Sequence, residues 1–264
     1  MPKVYEVRDY FNEIYPFYMK LSFDNIGLLA GFAETEVSRA VTALDITDEV
    51  IDEAAELGAQ LIVSHHPLIF DAIKSVTDEE PRGRRIISLL THGISAICLH
   101  TNLDTAVGGV NDALMHALGA HVTGLVSSHG SHPDGTDYGV SRFGEMDEEM
   151  DFFEFLKRTK AALHSNGLRY VSGGRPVKKL ACCGGAGAVD MQKAFESGCD
   201  TYVTADLKYD HFLWARDVGL NLIDAYHFCT ENVVVPVIKS ALEARFPELE
   251  VFISKRHKQA IQFL

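Results

Sequence analysis

The chain alternates between two rhythms of apolar and polar positions. Short apolar runs such as AVTALDIT (40–47) and AQLIVSHH (59–66) read as strands, and ISAICLHTNLD (94–104) reads as a strand running into a loop. Between them, TDEVIDEAAELG (47–58) and PRGRRIISLLTHG (81–93) set apolar residues at helical spacing, with Thr47 at one start and Gly58 at one end. The helix GVNDALMHALGA (109–120) closes this half. Strands and helices alternating through short connections predict βαβ units and a mainly parallel sheet.

The rhythm breaks over 121–150, where SSHGSHPDGTDYGVSRFGEM is rich in Ser, Gly and Asp and has no clear period, so a long loop or linker is expected. An amphipathic helix, DFFEFLKRTKAALHSNG (151–167), follows. The opening scheme then returns: strand VKKLACCGG (177–185), helix AVDMQKAFESG (188–198), strand CDTYVTAD (199–206), helix YDHFLWARDVG (209–219) and strand LNLIDAYH (220–227). Laying ELGAQLIVSHH (56–66) over ESGCDTYVTAD (196–206) sets His66 opposite Asp206. The match fits an internal duplication, and it also fits the likeness of any two βαβ units. The expected fold is therefore α/β, with two similar lobes of mainly parallel sheet. The first lobe takes 1–125, a linker 126–150 and the second lobe 151–264.

Composition narrows the function classes. A chain of 264 residues with 47% hydrophobic and 23% charged residues can bury its own core without disulfide or structural metal. The net charge of −13, with 24 Lys and Arg in no dense run, argues against a nonspecific nucleic-acid surface. No stretch reaches the roughly 18 apolar residues that would span a bilayer, and the N-terminal MPKVYEVRDYFNEIYPF lacks an apolar export segment. A cytoplasmic protein is expected. Cys98, Cys182, Cys183, Cys199 and Cys229 lack CxxC spacing and mostly sit in apolar strands, as reduced buried thiols would.

The unusual polar residues fall at strand ends, where functional groups gather in parallel α/β sheets. His65 and His66 end one predicted strand, His100 and Asp104 follow another, Asp206 ends a third, and Asp224 and His227 end a fourth. With a helix beginning near Phe228, His227 and Glu231 lie one helical turn apart and point to one side. Imidazole and carboxylate suit zinc, iron, manganese, cobalt or nickel, and a carboxylate can bridge two ions. His65, His66, Asp104, His227 and Glu231 are too many ligands for one open catalytic zinc and suit two ions sharing Glu231. Plainer roles compete at single positions: a strand-end His as a hydrogen-bonded polar residue, Asp104 as a cap, Glu231 as a favourable charge at a helix start. Two adjacent imidazoles before Pro67 resist that explanation, because burying both without partners is costly.

Four blocks, SFDNIGLLAG (22–31), LIVSHHPLIF (61–70), HTNLDTAVGGVNDAL (100–114) and LIDAYHFCTE (222–231), resemble in order and spacing the Nif-three-like dinuclear-metal family, also known as GTP cyclohydrolase I type 2 homologues. The resemblance covers nearly the whole chain. It implies His65, His66, Asp104, His227 and Glu231 as metal ligands. Glu231 would bridge, His66 and Asp104 would complete one site, and His65 and His227 the other. It also implies a homohexamer built as a trimer of dimers, in a short form without an inserted middle domain. Two departures stand out. Tyr226 replaces the glycine that relatives commonly carry before His227, and TADLKYDH (204–211) has Ala205 for glycine and Asp210 before His211.

These residues point to a metal-dependent hydrolase, with zinc, iron or manganese as the expected pair of divalent ions. GTP cyclohydrolase-like opening of a guanine ring is implied by the resemblance, and another nucleotide or a phosphoester would also suit two metals. The alternative is a non-catalytic metal-binding, metal-delivery or regulatory protein. Lys208, Arg142 and the GGAG stretch (184–187) are candidate phosphate donors, although GGAG lacks the P-loop pattern and suits a tight turn better. His129 and His132 read as solvated loop residues.

Overall fold

The apolar run before the paired histidines forms the strand Leu61–Ser64, buried at all four positions in the computed structural model, which describes residues 1–264. It pairs in parallel with Arg39–Ala43 on one edge and Ser95–Cys98 on the other. A strand flanked on both edges and covered on both faces needs apolar side chains at every position, which is why it reads as a continuous run. Gly27–Ala30 extends this sheet antiparallel to Ser95–Cys98, and Glu250–Ile253 extends it in parallel beside Arg39–Ala43. The helices Asp48–Glu56 and Pro81–Thr91 press Val50, Ile51, Ile86 and Leu89 onto Val41, Ile62 and Ala96. Thr47 caps the first by accepting the Val50 N–H, and Glu80 caps the second ahead of Pro81.

A second sheet has six strands in the order His121–Leu125, Arg142–Met150, Val177–Cys182, Thr201–Thr204, Asn221–Asp224, Arg169–Val171. Its three central pairing partners, Val177–Cys182, Thr201–Thr204 and Asn221–Asp224, run parallel, and the flanking pairs are antiparallel. Helices Val110–Leu118 and Phe152–Ala162 cover it, burying Leu114, Met115, Phe152 and Phe155 against Leu180, Val203 and Ile223. The chain thus divides into one unit of Met1–Leu103 with Val234–Lys258 and another of Asp104–Val233 with Gln259–Leu264.

Three elements differ from the sequence reading. Residues 126–150, expected as a linker, hold a short hairpin, Gly130–Ser131 with Asp137–Tyr138, and the whole of the nine-residue strand Arg142–Met150. Arg142, Gly144 and Met146 take the buried positions of that strand, so the inward face carries an arginine and a glycine and the alternation is disguised. Asp104 lies in a short helix, Thr101–Thr105, and not in a loop. Glu250–Ile253 belongs to the sheet of the first unit, because a strand's own sequence does not encode which sheet edge receives it. All five cysteines are buried and outside any disulfide, and no helix is long and apolar enough to cross a membrane.

Candidate metal centre

Backbone bonds from His65 N–H to Ala43 O and from His66 N–H to Leu44 O carry the ladder two residues past Ser64. The Ser64 hydroxyl donates to His66 O at 2.8 Å and Pro67 follows, so the pair is held extended at the sheet's end. Each ring is anchored through Nδ1. His65 donates to Leu99 O at 2.8 Å, His66 to Asp45 Oδ1 at 2.7 Å, and His100 to Asp24 Oδ1 at 2.8 Å. A ring nitrogen of each lies within 4.8 Å of the others. Donation through Nδ1 fixes the tautomer in which Nε2 keeps its lone pair, the arrangement typical of metal-binding histidine.

The carboxylates behind these rings are strongly held. Burial pushes Asp24 up, but hydrogen bonds from His100 and from the Thr101 hydroxyl and N–H outweigh it and bring the carboxyl down to about 2. Asp45 is likewise raised by burial and then drawn well below the usual carboxylate range by His257 and His66.

In the second unit, His227 opens the helix His227–Glu231. Its Nε2 lies 3.0 Å from Glu231 Oε2 and its Nδ1 lies 2.7 Å from Asp206 Oδ2. Glu231 and Asp104 are buried, and a carboxylate oxygen of each lies within 4.8 Å of the other. Asp206 sits at φ +56°, a left-handed conformation that aspartate tolerates better than most residues. Gly185, at φ +62°, passes so close beneath the helix that a Cβ there would stand 2.2 Å from Glu231 Oε1 and 3.0 Å from the His227 ring. Its N–H donates to Thr230 Oγ1 at 3.0 Å, fixing the turn to the helix. The GGAG stretch is therefore a turn that makes room for Glu231. Burial, with Asp104 and Glu231 among the nearby negative charges, pushes the Cys183 thiol up to about 12, so it stays protonated.

The structure thus gathers His65 and His66 with His100 in one unit, and Asp104, His227 and Glu231 in the other. Sequence reading noted His100 and Asp206 at strand ends without assigning them, and passed over Asp24 and Asp45. The available signal was position: Asp45 and Asp206 each follow a buried parallel strand by two residues. Arg142 is not a phosphate donor, because its buried guanidinium pairs with Asp112 and donates to the carbonyls of Gly139, Val140, Thr105 and Ala106. Lys208 is exposed, and its N–H donates to the ring of His211, which caps the following helix. His129 is exposed as expected, whereas His132 is half-buried with its ring 5.2 Å from that of Tyr138.

Tyr226 has φ +66° and ψ 146°, a region almost exclusive to glycine. That explains the glycine expected before His227. The phenol ring packs edge-on against Phe263 at 4.9 Å and lies 5.8 Å from the Arg169 guanidinium. Its N–H donates to buried Asp224, which also accepts from Arg169 and Leu207 N–H.

Known proteins share this sequence and fold over nearly the whole chain. A Clostridium perfringens protein named GTP cyclohydrolase 1 type 2 homolog is 33% identical over 264 residues, covering 99% of this chain and 100% of the relative. Its namesake from Clostridium acetobutylicum is 30% identical over 250 residues, covering 94% and 92%. The crystal structure of a Bacillus cereus protein related to NIF3 superposes with a TM-score of 0.91 at 25% identity, covering 100% of this chain and 99% of that one. The Duf34/NIF3 (NGG1p interacting factor 3) description matches residues 2–260, and the chain belongs to that family.

Proposed function

We propose that the protein is a dinuclear metal-dependent hydrolase in which His65, His66, Asp104, His227 and Glu231 hold two divalent ions. The observation that carries this reading is the anchoring of His65, His66 and His227 through Nδ1 to a carbonyl or carboxylate, which presents Nε2 as a ligand. The donor set fits: imidazole nitrogens with two buried carboxylates suit zinc, iron or manganese, and Glu231 has two oxygens with which to bridge. The chemistry that such a pair of ions supplies is hydroxide near neutral pH and stabilisation of negative charge developing on an attacked carbon or phosphorus. The chain's own residues orient the ligands. Asp45 and Asp206 set the rings of His66 and His227, and the glycine turn at 184–187 leaves space for Glu231.

A nucleotide is the substrate class we favour, because close relatives bear the name GTP cyclohydrolase 1 type 2 homolog. Hydrolytic opening of the guanine ring, with loss of formate, is the specific reaction to test first. A cytoplasmic homohexamer is the assembly proposed with it. Elemental analysis should return about two divalent ions per chain for the wild type and far fewer for Glu231→Ala. GTP consumption should vanish with chelator and return with metal. Bound metal with no turnover of GTP, other nucleotides or phosphoesters would instead identify a metal-binding or metal-delivery protein.

A further inference from the structure

Two phenylalanines stand exposed beside His100 in the first unit, with 62% of Phe23 and 39% of Phe70 open to solvent. Large aromatic side chains gain most from burial, so two exposed rings in contact with each other, one of them against His100, mark a face that a flat ligand would bury. Their centroids are 6.1 Å apart, and Phe70 meets the His100 ring edge-on at 6.0 Å. Both loops are fixed. Asn25 Nδ2 donates to Ile69 O at 2.7 Å, tying the segment after Phe23 to the one before Phe70. Asp24, next to Phe23, holds His100 through Nδ1. One loop therefore supplies an aromatic face and also the carboxylate that orients the neighbouring imidazole, and because Nδ1 donates to that carboxylate, Nε2 is the ring nitrogen that carries the lone pair.

We propose that Phe23, Phe70 and His100 form the recognition face for a planar nucleobase-type ring. The ring stacks on the phenylalanines, and His100 Nε2 accepts an N–H from its edge. Stacking on an aromatic side chain accepts any flat heterocycle, and it is the imidazole lone pair that selects a ring whose edge donates. This deepens the hydrolase reading by naming what holds the base, and it rests on that reading only for the reaction that follows binding.

The test is isothermal titration calorimetry of the full-length, metal-loaded protein with GMP, and with ribose 5-phosphate as the probe lacking the ring. GMP should bind. Phe70→Ala and Phe23→Ala should each weaken it about ten-fold or more, Phe70→Tyr should restore most of the affinity, and His100→Ala should weaken it as well. Ribose 5-phosphate should respond to none of these changes. Glu231→Ala, titrated in parallel, separates the two ideas: retained GMP binding without metal or turnover leaves the platform standing whether or not the hydrolase reading holds. The proposal is overturned if wild type binds no GMP, if Phe70→Ala binds it unchanged, or if the loss is equal for ribose 5-phosphate. It is also overturned if sedimentation shows that the phenylalanine variants change assembly state while binding is unaltered, which would make the pair a subunit contact.

Discussion

His227 Nδ1 lies 2.7 Å from Asp206 Oδ2, with the carboxylate on the residue two past one parallel strand and the imidazole three past the next. The other unit has a similar pair, Asp45 and His66, also at 2.7 Å, each two residues past its own parallel strand. In both cases the earlier strand supplies the acid and its neighbour the base.

Asp206→Asn should leave the fold unchanged, because asparagine also accepts a left-handed backbone. It should weaken metal binding by about 10- to 100-fold through loss of the charged acceptor behind His227. Competition with a chromophoric chelator measures this directly, and an unchanged affinity would remove Asp206 from the metal centre.

Gly185→Ala places a methyl group 2.2 Å from Glu231 Oε1, on a backbone at φ +62°. Left-handed strain costs about 1–2 kcal/mol, and displacement of Glu231 adds to it. Lower thermal stability together with lost metal is expected. Ala186→Gly, in the same turn, is the control that should keep its metal.

Tyr226 offers an inversion of the usual ranking of substitutions. Tyr226→Ala keeps the unfavourable backbone and loses the contacts with Phe263 and Arg169. Tyr226→Gly loses the same contacts but relieves about 1–3 kcal/mol of strain. The glycine variant should therefore be more stable than the alanine variant in urea denaturation, opposite to the normal order. Equal stability would show that the backbone relaxes.

Asp24 makes stability depend on acid pH. Its carboxyl titrates at about 2 in the folded chain, below the ordinary 3.8. The folded state thus holds its charged form more tightly than the unfolded state does. That stabilisation is complete above the ordinary value and disappears as pH falls toward 2, a loss of about 2 kcal/mol. Urea denaturation of metal-free protein should show Asp24→Asn less stable than wild type at pH 7, with the difference narrowing by about that amount as pH approaches 2. A gap that stays constant with pH would assign the effect to packing alone.

Much of this protein is legible in its sequence. The run Leu61–Val63 reveals a strand buried on both faces, Thr47 and Asp151 mark helix starts, and the paired histidines before Pro67 mark the strand's end. These signals are local, set by periodicity, capping and the restriction before proline. The tertiary structure alone decided what was not local. Asp45 and Asp24 could be known as partners of His66 and His100 only when segments 21 and 76 residues apart in sequence came together. The sheet edge taken by Glu250–Ile253 depended on pairing with Arg39–Ala43, and the need for glycine at 185 on the approach of Glu231. Sequence carries the pattern that folds each element, whereas the hydrogen bonds that aim a side chain belong to whichever distant backbone or carboxylate packing sets beside it.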